Sequence, residues 1–252
     1  MVKKKGEKRL IELRDVFKHY YMGENVVKAV DGISFFVEKG EFVAIMGPSG
    51  SGKSTAMNLV GSLDVPTKGK ILLDEEDIST LDESDLAQIR GKKIGFIFQS
   101  FNLIQNLTAK ENIMIPMMFQ GTDLFSREEK AEELLNLVEL GDRMDHYPGE
   151  PSGGQRQRVA IARSLANDPE VILADEPTGN LDTKTGQIVM DFLGRLNKEG
   201  KTVIMVTHDP DLAETHADVV YWLRDGKVEK VTKKGKIIWK PKSKKVNKKE
   251  KK

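Results

Sequence analysis

The chain has 252 residues, 38% of them hydrophobic, which is enough material for one large domain with a real core. It contains no cysteine, which excludes disulfides and thiolate metal sites, and no apolar run approaches the ~20 residues that a membrane helix needs. Charged residues reach 31%, yet the net charge is only +1, because the positive excess sits at one end: residues 233–252 hold eleven lysines against one glutamate.

In chain order, "MVKKKGEKRL" offers no apolar signal region. Residues 1–9 read as a basic extension, and a cytoplasmic location is expected. "LIELRDVFKHY" and "VDGISFFVEKGEFVAIM" read as strands joined by turns. "FVAIM" (42–46), "IGFIF" (94–98), "VILAD" (171–175) and "TVIMVTH" (202–208) are short, apolar and rich in β-branched residues, as strands buried on both faces of a parallel sheet are. Helical spacing marks 126–140, with Ser126 as cap and a glutamate three residues on, and also 153–168 and 183–199. The stretch from about 100 to 165 reads as a mostly helical subdomain. Near the end, Asp225-Gly226 between alternating apolar residues marks a hairpin. Strands alternating with helices predict an α/β domain over 10–232, with an antiparallel sheet beside the parallel one. The lysine-rich 233–252 reads by default as a solvated tail, the other reading being attraction to anionic lipid or nucleic acid.

The first chemistry-bearing stretch is "GPSGSGKST" at 47–55. Gly47, Pro48, Ser49, Gly50, Ser51, Gly52, Lys53 and Ser54 match G-x-x-x-x-G-K-[ST], directly after a predicted strand and leading into the helical "STAMNLVGSL" (54–63); with Thr55 they are the candidate ATP-binding residues of this loop. In that context the loop aims backbone N–H groups at a phosphate chain. The helix N-terminus adds partial positive charge. Lys53 suits the β- and γ-phosphates, and the Ser54 hydroxyl suits Mg²⁺.

Hydrolysis needs carboxylates as well. "VILADEP" places Asp175 at the carboxyl end of a predicted buried strand, where it suits Mg²⁺, and Glu176 next to it, where it suits polarising a water. Three polar residues follow other predicted strands or this one: Gln99, suited to sensing metal or water; His208, suited to the γ-phosphate; and Asp182. Tyr20 or Tyr21, in "KHYYMGE", is a candidate for stacking on a base.

A second glycine-rich stretch, "EPSGGQRQR" at 150–158, lacks a following Gly-Lys-Ser but opens a predicted helix, which suits an anion. With it the resemblance becomes plain: the chain resembles the ATP-binding subunit of an ABC transporter. Gly47–Ser54 resembles the Walker A loop and "VILADE" the Walker B strand. Ser152, Gly153, Gly154 and Gln155 resemble the family signature, and Gln99 the Q-loop. "GNLD", with Asp182, resembles the D-loop, His208 the switch histidine, and Tyr20 the adenine-stacking aromatic. The resemblance spans about 10–230 and departs from the usual pattern at Pro151, where leucine is common.

The resemblance implies a P-loop NTPase core of the ABC type with a mostly parallel sheet, an antiparallel β subdomain and a helical signature subdomain. It also implies ATP as substrate with Mg²⁺ as cofactor, and a head-to-tail homodimer in which one chain's Walker A loop and the other's signature share each ATP. A membrane permease subunit is the implied partner, with the chain peripheral on the inner face of the membrane. "GFIFQSFNLIQNLTAKENIMIPM" and "ADEPTGNLD" look like cassettes of the lipoprotein-release and macrolide-export type. "NIMIPMMFQ" (112–120) lies where a permease helix docks in the family, and plain core packing accounts for it equally well. The alternative is a soluble ABC ATPase acting on ribosomes or nucleic acid. Only the basic tail favours it, so nucleic acid is not the expected partner.

Overall fold

The computed structural model describes residues 8–241. In chain order its main elements are β1 (Arg9–Met22), β2 (Asn25–Glu38), β3 (Phe42–Met46), α1 (Lys53–Val60), β4 (Lys68–Leu73), β5 (Glu76–Asp77), α2 (Glu83–Lys93) and β6 (Ile94–Ile97). There follow α3 (Ala109–Phe119), α4 (Leu124–Leu137), α5 (Gly153–Ser164), β7 (Val171–Asp175), α6 (Thr183–Lys198), β8 (Thr202–Thr207), α7 (Pro210–His216), β9 (Val219–Arg224), β10 (Lys227–Lys233) and β11 (Lys236–Trp239).

Two sheets organise the chain. The larger runs β11-β10-β9-β3-β8-β7-β6, with β9, β3, β8, β7 and β6 parallel and β10 and β11 antiparallel at one edge. The smaller is antiparallel, in the order β2-β1-β4-β5. Every residue of β3 and β8 is buried, which is why these strands read as unbroken apolar runs. Their side chains still alternate between faces. Phe42, Ala44, Met46, Val203 and Met205 join a core built with α3, α4, α5 and α6. Val43, Ile45, Ile204 and Val206 join a second core with β1, β2 and α1. The parallel strands are thus the middle layer between helices and the antiparallel sheet.

Several expectations are corrected. The hairpin at Asp225-Gly226 extends the parallel sheet, while the separate antiparallel sheet recruits β4 and β5, which the sequence reading does not include. The predicted tail does not begin at 233: Lys233 closes β10, and Lys236–Trp239 pair with it as β11. The backbone there pairs with β10 on one side, as the edge strand of the sheet, despite the lysines. Most of the basic extension and residues 242–252 lie outside the described residues. The cap of α4 is Asp123 rather than Ser126, because its carboxylate accepts from the Ser126 amide at 3.0 Å and the Ser126 hydroxyl at 2.6 Å. Ser126 is therefore already inside the first turn. The methionine-rich stretch divides its roles: Met117 is buried and Met114 packs on the core, while Met118 and Phe119 are exposed.

Candidate functional site

The site is assembled at the carboxyl ends of four adjacent parallel strands, where ligands gather in α/β sheets. The loop 47–52 follows β3, His208 follows β8, Asp175 and Glu176 end β7, and Gln99 lies just past β6. The registers Met46↔Thr207, Asp175↔Val206 and Ile97↔Ala174 bring these strand ends level.

The loop is built for a ligand with many acceptors. Gly52 caps α1 at φ 95°, and no side chain satisfies the helix's first amides. A Cβ on Gly52 would lie 2.2 Å from the Ala29 carbonyl oxygen, so both conformation and space require glycine. The bare N-terminus leaves amides and partial positive charge facing outward. Lys53 is 8% exposed, and its ammonium donates to the carbonyls of Gly47 and Pro48 at 2.8 and 3.0 Å. Beneath the loop, the Gly226 amide donates to the Ser51 carbonyl at 3.1 Å. The C-terminal hairpin turn therefore supports the phosphate loop, a contact with no local sequence signal.

Tyr20, Ser49, Gly50, Gly52, Lys53, Ser54, Thr55, Glu176 and His208 line one open cavity of about 770 Å³. Glu176 has φ 44°, and its amide donates to the Val206 carbonyl at 2.9 Å. This turns the residue off β7 toward β8. Its carboxylate then meets His208 Nδ1 at 3.0 Å. Burial pushes the Asp175 carboxyl above its ordinary range; the Glu176 charge adds to this, and Lys53 opposes it. Of the two candidate tyrosines, Tyr20 lines the cavity, whereas Tyr21 does not and is 69% exposed.

Other expected site residues lie outside that cavity. The Gln99 side chain packs where a Cβ on Gly179 would come within 2.8 Å of its amide nitrogen, and the main-chain carbonyl of Gln99 accepts from the Asn180 side-chain amide at 2.9 Å. Asp182 caps α6, accepting from the Thr185 amide at 3.0 Å and hydroxyl at 2.6 Å. These bonds hold its carboxyl below the usual range. Ser152 and Gln155 form a reciprocal capping box: the Ser152 hydroxyl accepts from the Gln155 amide, and the Gln155 side chain from the Ser152 amide. The amides of Gly153 and Gly154 remain for an incoming anion. Gln157, fully buried, donates to the Pro177 carbonyl at 2.8 Å and so ties α5 to the turn after Glu176. Nothing in its local sequence marks it.

Metal binding is constrained by the donors present. Among the described residues no cluster of three or more His, Cys, Asp or Glu side chains can hold an ion. Asp175, the Ser54 hydroxyl and the Gln99 amide are all oxygen donors, which suits a hard cation completing its shell with phosphate and water oxygens.

A phosphate loop, an acidic pair and a histidine on neighbouring parallel strands define a P-loop ATPase. Comparison with known sequences makes the class particular. A family model described as ABC transporter matches residues 30–179, and the chain belongs to that family as an ATP-binding cassette. An uncharacterized ABC transporter ATP-binding protein of Thermotoga maritima is 51% identical over 228 residues, 90% of this chain and 97% of that protein. The macrolide export ATP-binding/permease protein MacB of Brucella melitensis is 50% identical over 219 residues, 87% of this chain but 34% of its own length. The cassette MJ0796 of Methanocaldococcus jannaschii is similar in structure. It was solved as a dimer in a post-hydrolysis state bound to ADP and Pi, with a TM-score of 0.83 and 46% identity, covering 89% of this chain and 98% of that one.

Proposed function

We propose that this ATPase cassette binds ATP with Mg²⁺ at the 47–55 loop, pairs head to tail with a second copy across two nucleotides, and drives a permease of the lipoprotein-release or macrolide-export type. The observation that carries the reading is the division of the site. The phosphate loop, Glu176 and His208 share one cavity, while the Ser152–Gln155 helix start, a second glycine-rich helix N-terminus, lies on another element outside it. A second protomer supplies the missing half. In this reading Asp175, Ser54 and Gln99 hold the metal, which supplies charge neutralisation at the phosphates when bound. Glu176 accepts a proton from the attacking water, and His208, bonded to Glu176, orients it.

Changing Glu176→Gln tests this. Hydrolysis is expected to fall about a hundred-fold or more, the scale of a lost general base, while ATP still binds and holds the dimer together. Gel filtration with and without ATP reads the outcome. A monomer under both conditions at saturating ATP contradicts the shared-nucleotide dimer.

A permease partner is supported by an apolar groove of about 510 Å³ between the sheet and the helical layer, lined by Phe96, Phe98, Asn102, Pro116, Phe119 and Arg163 among others. Its wall includes the exposed end of the methionine-rich helix α3, and the name of the MacB relative couples such a cassette to a permease. Among the described residues no helix is long and apolar enough to cross a membrane, so in this reading the cassette sits on the inner face through its partner. Copurification with a membrane protein supports it; copurification with ribosomes favours the soluble alternative.

The eleven lysines against one glutamate over 233–252 favour, as a further part of this proposal, a contact with anionic lipid over a plain solvated extension. Stopping the chain after Pro241, beyond β11, is expected to leave ATP hydrolysis intact. It should also weaken binding to vesicles of phosphatidylglycerol, most clearly at low salt. Equal vesicle binding by both forms sinks this part of the reading.

A further inference from the structure

We propose that Asp64 is a positioning residue of the nucleotide site: with Lys18 it braces the Tyr20 ring in the pose that receives the base. This rests on reading the cavity as the ATP site and Tyr20 as its stacking aromatic. Tyr20 projects from β1 three residues before Gly23 of the hairpin turn, and it is 37% exposed. A ring at such a strand end has two rotatable bonds and little packing to hold it. Here it is anchored. Its hydroxyl donates to Asp64 Oδ2 at 2.9 Å. The Lys18 ammonium lies 5.2 Å from the ring centroid and covers one face. The same ammonium donates to Asp64 Oδ1 at 2.5 Å and to the Val65 carbonyl at 2.8 Å. The Val65 amide donates back to Asp64 Oδ1 at 2.8 Å.

The brace is partly buried, with Lys18 and Asp64 side chains 13% and 25% exposed. Burial pushes the Asp64 carboxyl up, but the bonds from Lys18, Tyr20 and the Val65 amide outweigh it and hold the group below its usual range. It therefore stays an acceptor at neutral pH. Because Lys18 occupies one face of the ring, only the other can meet a base. Asp64 lies in the loop that leaves α1, the helix whose start is the phosphate loop. One short element thus orients both ends of the ligand. Fixing the ring beforehand removes an ordering cost that binding otherwise bears.

Calorimetry on the full chain, with ATP and inorganic tripolyphosphate as probes in Mg²⁺, tests the brace. Tripolyphosphate reads the phosphate loop without a base. Tyr20→Phe and Asp64→Ala are each expected to weaken ATP about five-fold, the scale of one hydrogen bond, and to change tripolyphosphate affinity less than two-fold. The double variant should be no worse than either single one, since both remove the same bond. Additive losses, or normal ATP affinity in Tyr20→Phe, overturn the brace. Loss of both ligands in Asp64→Ala shows a general loop defect and also overturns it. Tyr20→Ala separates the underlying reading: unchanged ATP affinity there removes the stacking role itself, whereas a loss confined to Tyr20→Ala removes only the brace.

Discussion

At Asp175 a carboxylate is held where burial and the neighbouring Glu176 both disfavour its charge, with Lys53 the one opposing influence. The sign of the consequence follows from linkage. A carboxyl raised above its ordinary value of 3.8 binds its proton more readily folded than unfolded. That contribution to stability is fully present below the ordinary value and is lost as pH rises through the higher folded value. At neutral pH the folded chain carries a charge the unfolded chain accommodates more easily. Asp175→Asn should therefore raise the Tm of the nucleotide-free protein at pH 7. The gain should shrink toward zero near pH 3, while ATP turnover collapses. An unchanged or lower Tm at pH 7 shows that the site does not store this cost. Tyr20, His208 and Glu176 illustrate the same scale from the other side: each residue type is ordinary, and each is held by a partner distant in sequence, Asp64 for Tyr20 and one another for His208 and Glu176.

The elements carry the site by where they begin. Helix α1 begins bare at Gly52, whereas α5 and α6 begin with side-chain caps at Ser152 and Asp182. The first turns of α5 and α6 meet in a close contact: a Cβ on Gly154 would lie 2.2 Å from Thr185 Cγ2. Gly154→Ala is expected to overpack this junction and lower the Tm by several degrees, since strain of this kind costs ~1–3 kcal/mol. Thr185→Ser removes the offending methyl and should restore most of the loss in the double variant. Thermal unfolding of the two single variants and the double one is the measurement, and independent, additive effects refute the contact. Pro151 fits its place for a related reason. It stands just before the capped helix, where proline is tolerated, and its carbonyl accepts from Arg156 at 2.7 Å.

For the whole molecule, the question is whether the two glycine-rich loops serve one nucleotide in one chain or two nucleotides in a pair. The absence of cysteine makes the test clean. Ser49→Cys and Gln155→Cys are prepared separately on the Glu176→Gln background, then mixed with ATP, Mg²⁺ and a short thiol-bridging reagent. A covalent dimer should form in the mixture with ATP and little without it. With both cysteines on one chain, cross-linking mainly within monomers, together with failure of the mixture while ATP binds, places the two loops on one nucleotide in a single chain.

The phosphate loop, the buried strands around it and the acidic pair at 175–176 were all legible in the chain, because each is a local pattern whose chemistry depends on neighbours in sequence. So were the helix start at Ser152 and the turn at Asp225-Gly226. What sequence could not assign was membership. The Asp225-Gly226 turn specifies a hairpin but not which sheet receives it, and β4 finds its place only by pairing with β1, with β5 pairing in turn with β4. Strand partners are chosen by long-range burial, which leaves no local mark. The same holds for the supports of the site: Gly226 under Ser51, Gln157 against Pro177, and Asp64 with Lys18 on Tyr20 join residues from about twenty to well over a hundred positions apart. Sequence by itself determined the reactive groups and the turns that present them. Only the tertiary structure decided which strand ends stand level, and therefore which of those groups share a cavity.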